Sequence, residues 1–182
     1  MLENNVPDWY IESCKKIKYM FPKAHAAAYV MMALRIAYFK VYYPVEFYCA
    51  YFSVRADLFD AAIMTHGAAK VKAEMHRLNL KGTSITANEK SLYTILEICL
   101  EMYERGIDFL PVDLYQSHAR KFKKVGNSIL PPLNAFAGVG EAAAESIMEA
   151  AKDGKFLSQE DLKNRAGITK AVMEVLNENG VL

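Results

Sequence analysis

Apolar and polar positions divide the chain into a helical first part, a short stretch with strand character and a run of small helices. Pro7-Asp8 opens a helix expected over residues 8–19 with Asp8 as N-cap, and Pro22 breaks it. Residues 24–42 then favour one long helix, placing Lys23 and His25 at its start. Pro44 stops it and can begin the next, expected over 45–55. A further helix is predicted over 58–78, then a loop over 79–87 that holds Gly82, Thr83 and Ser84. Thr86 and Glu89 have the spacing of a capping box for a helix that ends at Gly106. Phe109, Val112 and Leu114, with Phe122, Val125 and Ile129 around a Gly126-Asn127 turn, predict short strands. Past Pro131-Pro132, glycines separate short helices for which Ser158 and Thr169 are the expected N-caps. The fold class read from this pattern is mainly α with a small β insert. Three regions are expected: a helical part over 1–78, a helix-and-sheet connector over 79–130 and a glycine-punctuated helical module over 131–182.

Composition adds little to the functional picture until its distribution is considered. Hydrophobic residues make up 53% of the 182, enough for an ordinary globular core, and 22 Lys and Arg against 21 Asp and Glu leave a net charge of +1. That balance argues neither for nor against nucleic acid. Up to Ala56, however, Lys15, Lys16, Lys18, Lys23, Arg35, Lys40 and Arg55 face only Glu3, Asp8, Glu12 and Glu46, so this part is locally basic. Cys14, Cys49 and Cys99 lie far apart and form no CxxC pair, which fits reduced buried thiols and a cytoplasmic location. The start of the chain has no secretory signal pattern. Arg35 and Lys40 interrupt the apolar run 24–34 well before the roughly 20 residues a membrane span needs, so a core helix is expected and no membrane partner. Tyr38, Phe39, Tyr42, Tyr43, Phe47, Tyr48, Tyr51 and Phe52 are expected to form a helix-helix core. His66, His76 and His118 show no metal-ligand spacing and are read as structural.

Two glycine corners carry the first functional signal. In Ala137-Gly138-Val139-Gly140-Glu141, two glycines let the backbone turn and come close to a phosphate, and the following helix start offers amide N–H groups and the positive end of its dipole. The segment resembles a helix-hairpin-helix, and Gly138, Val139 and Gly140 are its candidate DNA contacts. A plain connection between packed helices uses glycine in the same way, so the motif alone leaves both readings open. Ala166-Gly167-Ile168-Thr169-Lys170 is a second, degenerate copy with Thr169 in place of the second glycine. Its candidate contacts are Gly167, Thr169 and Lys170, against the alternative of a small packing bundle. Arg120, Lys121, Lys123 and Lys124 form a basic run that reads either as solvated surface or as salt-dependent attraction for phosphates.

The most specific stretch is Tyr19-Met20-Phe21-Pro22-Lys23-Ala24-His25-Ala26-Ala27-Ala28-Tyr29. It resembles the fingers signature of bacterial family C DNA polymerases. Ala33-Leu34-Arg35-Ile36-Ala37-Tyr38-Phe39-Lys40, Tyr43-Pro44, Leu130-Pro131-Pro132-Leu133-Asn134 and Gly138-Val139-Gly140 follow in the order of the Gram-positive PolC branch. The resemblance covers essentially the whole chain, and the Phe21-Pro22-Lys23 and Leu130-Pro131-Pro132 wording favours PolC over the related DnaE branch. It implies helical fingers over 1–78 and a tandem helix-hairpin-helix duplex-binding module over 131–182. It further implies that Lys23, His25, Tyr29 and Arg35 serve the incoming nucleotide, cations toward phosphates and the Tyr29 ring toward the nascent base pair. An ion pair accounts for Arg35 equally well, and a histidine at a helix start such as His25 also caps or packs.

By the same resemblance, magnesium is held by aspartates of a palm placed before Met1. No Asp-x-Asp pair occurs in this sequence, so no catalytic residue and no cofactor are expected on this chain. The implied partners are primer-template duplex, a deoxynucleoside triphosphate, the palm, and a sliding clamp reached by a tail beyond Leu182. On this reading the chain is a piece of a longer polymerase, inactive alone. The rival reading is a free-standing DNA-binding or scaffolding protein that uses only the carboxy-terminal hairpins.

Overall fold

Proline and glycine set most of the boundaries in the computed structural model, which describes residues 1–17, 22–55 and 58–182. The chain divides into two compact units, Met1–Tyr42 and Tyr43–Leu182. The first holds a short 3₁₀ turn at Leu2–Asn4, helix α1 at Asp8–Lys16 and helix α2 at Lys23–Tyr42. Pro7, not Asp8, is the N-cap of α1; Asp8 is its first helical residue, where its charge favours the helix dipole without a capping bond. The helix stops at Lys16 because Ile17 is extended, and Tyr19, the expected end, lies outside the described residues. Tyr19, Met20 and Phe21 of the fingers signature lie outside them too. Helix α2 has the length read from the sequence, but it is not a core helix. It carries no buried residue, and Tyr29, Leu34 and Tyr42 are each about two-thirds exposed, at 67%, 65% and 66%. At 20 residues it is nevertheless not apolar enough to cross a membrane, and no other described helix is.

The second unit opens with α3 at Pro44–Val54, Pro44 standing in the first turn where its missing N–H costs nothing. The single helix expected over 58–78 is two: α4 at Ala61–Met64, capped by Asp60 onto the Ala62 amide, and α5 at Ala68–Leu80. Gly67 separates them at a φ of 88°, a conformation only glycine adopts readily. Tyr103 closes the break by donating its hydroxyl to the Met64 carbonyl at 2.6 Å and accepting the Gly67 amide at 3.3 Å. The expected loop 79–87 is shorter than read, with a 3₁₀ turn at Gly82–Ser84 before α6 at Ala87–Glu104. The Thr86–Glu89 capping box is formed, and a hydrogen bond from Lys81 holds the Glu89 carboxyl down at about 2.

Strands β1 (Asp108–Phe109), β2 (Lys123–Val125) and β3 (Ser128–Leu130) make a sheet of order β1-β3-β2, with β1 parallel and β2 antiparallel to β3. Val112, Leu114 and Phe122, expected in strands, are buried in the connecting loop instead. Phe52, Phe59, Phe109 and Phe122 form one ring cluster with centroids 4.8–6.2 Å apart, so α3 and the sheet share a core. Of the aromatics expected to pack together, Tyr48 and Phe52 are fully buried and Phe47 and Tyr51 partly so, whereas Tyr38, Phe39, Tyr42 and Tyr43 are about half exposed or more. Cys49 and Cys99 are buried free thiols, as read; Cys14 is free but only half-buried. Helices α7 (Glu141–Ala151), α8 (Gln159–Ala166) and α9 (Lys170–Glu178) complete the unit, packed through Ala144, Ile147, Ala150, Leu162, Val172 and Leu176.

Candidate nucleic-acid interface

The two glycine corners have the same backbone course. Gly138 (φ 97°) and Gly167 (φ 62°) turn the chain through the left-handed region, Val139 and Ile168 then drop into the core, and Gly140 and Thr169 stand as N-caps with φ near −70° and ψ of 160°. In both copies the buried aliphatic residue lies between two exposed ones, so each corner presents its backbone outward while its middle side chain anchors it. Gly138 is called for by its positive φ, and a Cβ there would also press to 3.3 Å on Val175 Cγ2 of α9. Gly140 is different. Its φ suits any residue and a Cβ there would meet nothing within 4 Å among the described residues, so neither backbone strain nor packing calls for glycine, although glycine also suits an N-cap.

The two helix starts differ in how their amides are used. The Ala144 amide bonds the Gly140 carbonyl at 3.0 Å, but those of Glu141, Ala142 and Ala143 have no hydrogen-bond partner among the described residues, and Gly140 offers no capping side chain. In the second copy Thr169 does what a second glycine cannot, accepting the Val172 amide on Oγ1 at 3.4 Å. Lys170 opens α9 with its side chain 85% exposed, 3.5 Å from Glu174. An open groove of about 390 Å³ runs between α8 and α9 beside this corner, its walls carrying both Lys163 and Lys170 and the acids Glu160 and Glu174.

Arg165 ties the two copies together and was not singled out by sequence. Its guanidinium donates to the carbonyls of Ala150 (2.5 Å), Gly154 (3.2 Å) and Lys155 (3.3 Å), pairs with Asp161 and lies 4.6 Å from the Phe156 ring centre. It thus satisfies carbonyls at the end of α7 from the last turn of α8. Its sequence neighbours give no sign of this, because its partners lie up to 15 residues away.

The basic run is drawn apart by the fold. Arg120 pairs with Glu141 at 3.1 Å and Glu145 at 3.0 Å, which sets it directly against the first turns of α7. Lys124 pairs with Glu46 of α3 at 2.6 Å, and Lys123 donates to the Gln116 carbonyl. Lys121 is exposed and has no side-chain partner among the described residues. The Phe122 amide on Ser53 Oγ and the Lys124 pair anchor the end of this segment to α3.

At the other end of the sequence, Lys23 is the first residue of α2, and no acid stands in that first turn. His25 and Tyr29 lie one turn apart with ring centres 4.5 Å from each other, so the sequence-predicted trio shares the start of one helix. Arg35 is exposed further along the same helix. The described residues contain no group of His, Cys, Asp and Glu fit to hold a metal.

Comparison with known proteins places this arrangement. A family described as helix-hairpin-helix motif matches residues 106–182, the stretch that holds both corners and the basic run. Over all 182 residues the chain is 58% identical to the PolC-type DNA polymerase III of Clostridium perfringens, 56% to that of Bacillus cereus and 54% to that of Bacillus subtilis. The chain belongs to the PolC family. It spans 13% of the length of these curated relatives, so it corresponds to one segment of a PolC-type polymerase. The resemblance read from the fingers signature and the proline and glycine motifs is therefore correct, as is the mainly α fold with a three-stranded insert.

Proposed function

We propose that this PolC segment grips the primer-template duplex through residues 106–182 and presents the start of α2 to the incoming deoxynucleoside triphosphate. The observation that carries the reading is Gly140: a glycine that neither backbone strain nor packing among the described residues requires, heading a helix whose first three amides have no partner among the described residues. A phosphate oxygen is the partner that such a site suits, since it needs close backbone approach and several N–H donors. Lys121 adds charge beside it, and Arg120 stands there paired with Glu141 and Glu145. These groups address the sugar-phosphate backbone and not base edges, which suits an enzyme that must hold every sequence it copies.

For the nucleotide, Lys23, His25 and Tyr29 supply a cationic helix start beside an aromatic face. Magnesium belongs, on this reading, to carboxylates of the palm elsewhere in the polymerase. Exposure of the apolar helix α2 is consistent with cover from that remainder. The clamp contact and a cytoplasmic setting follow from the same assignment. Binding of this chain to DNA duplexes of unrelated sequence across a salt series tests the grip. Affinities that agree between sequences and fall steeply and log-linearly with salt are expected. Strong sequence preference, or binding indifferent to salt, contradicts the reading.

A further inference from the structure

His118 shapes the basic loop in a way its isolation in the sequence conceals. Its ring Nδ1 faces two backbone N–H groups, those of Arg120 at 3.0 Å and Lys121 at 3.2 Å, and accepts from both. Just before it, Asp113 Oδ1 accepts the amides of Tyr115 and Gln116, each at 2.8 Å, so the loop is built from successive side-chain-capped turns. The loop is also stitched to the first hairpin. The His118 and Ala119 carbonyls accept the amides of Leu133 (2.9 Å) and Asn134 (3.2 Å), which lead into Gly138, and the Ala119 amide lies 3.4 Å from Met148 Sδ of α7. What the imidazole holds in place is therefore the backbone that carries Arg120 and Lys121 beside the first glycine corner.

We propose that His118 is a positioning residue for phosphate contact: its unprotonated Nδ1 fixes Arg120 and Lys121 against the first hairpin, and the grip on duplex loosens when His118 takes up a proton. This rests on the reading of residues 106–182 as a phosphate-facing surface. The chemistry is that of donor against acceptor. With the proton on Nε2, Nδ1 offers a lone pair to both amides; an imidazolium carries N–H at Nδ1, leaving two backbone donors facing a third. The charged groups around the ring act in the same direction. Lys123 of β2 and Lys121 and Arg120 of its own loop oppose a further positive charge, while Glu145 of α7 favours it. Partial burial, with these cations behind it, lowers the His118 pKa below its ordinary 6.5. The folded state thus prefers the neutral ring. Its contribution is intact above the ordinary value and is lost as pH falls from there through the lower folded one.

Two variants separate this role from simple packing. His118→Asn places a non-titrating oxygen acceptor where Nδ1 stands, and His118→Ala removes the acceptor. Binding of a fluorescently labelled DNA duplex to the 182-residue chain is measured from neutral to acid pH at fixed salt, with thermal melting as a check on folding. Imidazole ¹⁵N spectra report the tautomer. His118→Asn is expected to match the wild type at neutral pH and to keep its affinity on acidification, whereas the wild type weakens severalfold. His118→Ala is expected to bind severalfold more weakly at neutral pH, with a salt slope shallower by about 1 for each phosphate that is no longer neutralised. The Nε2–H tautomer is expected at neutral pH. Superimposable pH profiles for the wild type and His118→Asn, or wild-type binding by a folded His118→Ala, overturn the role of His118 alone. Absence of duplex binding by the wild type overturns the phosphate-facing surface and this inference with it.

Discussion

Gly138 and Gly140 look alike in the sequence, yet the chain needs them for different reasons, and substitution should separate those reasons. Gly138→Val places a side chain at a φ of 97° and against Val175, so it is expected to destabilise the second unit by about 1–3 kcal/mol as well as weaken binding. Gly140→Val meets neither obstacle. Its cost in stability should be no more than the roughly 1 kcal/mol of a poorer N-cap, while duplex affinity falls about tenfold or more, the scale of a missing hydrogen bond to a charged partner. Unchanged affinity in a folded Gly140→Val would remove this corner from the interface. Thr169 shows how far one residue can be read alone. Its N-cap role was legible because capping is local, but whether it harms or replaces a glycine contact depended on where Val172 lies.

Helices and corners were legible to the extent that their causes are local. The Thr86 box, the Ser158 and Thr169 caps and the Pro44 start stand where the sequence puts them, since each involves residues within one helical turn. The break at Gly67 was missed because what stabilises it is Tyr103, 36 residues away. Strand positions failed for a related reason: Val112, Leu114 and Phe122 are apolar because they fill the core, not because they pair in a sheet. Arg165 is the clearest long-range case. Arg165→Ala should cost about 2 kcal/mol in denaturant unfolding, because it strips charged hydrogen bonds from the carbonyls of Ala150 and Gly154. Loss of the junction between α7 and α8 should also loosen the spacing of the two corners. An unfolding free energy unchanged by this substitution would mean that solvent replaces the guanidinium without penalty.

At the scale of the whole molecule, the unit Met1–Tyr42 and the unit Tyr43–Leu182 pose opposite problems. The second has an extensive buried core, while α2 in the first is apolar yet buries no residue. Periodicity could not foresee this, because an all-round apolar helix reads as interior wherever its cover comes from. Tyr29→Ala should leave the stability of this chain nearly unchanged, since Tyr29 is 67% exposed. In a full-length PolC-type polymerase it should raise KM for deoxynucleotides while duplex affinity stays put; equal loss of both would make Tyr29 a packing residue. The duplex grip is tested most directly by amide hydrogen exchange on this chain with and without DNA duplex. Slowed exchange at Glu141, Ala142 and Ala143 on adding duplex, with the amides of α6 unaffected, is the predicted result. Exchange at those three amides as fast with duplex as without it would contradict the account.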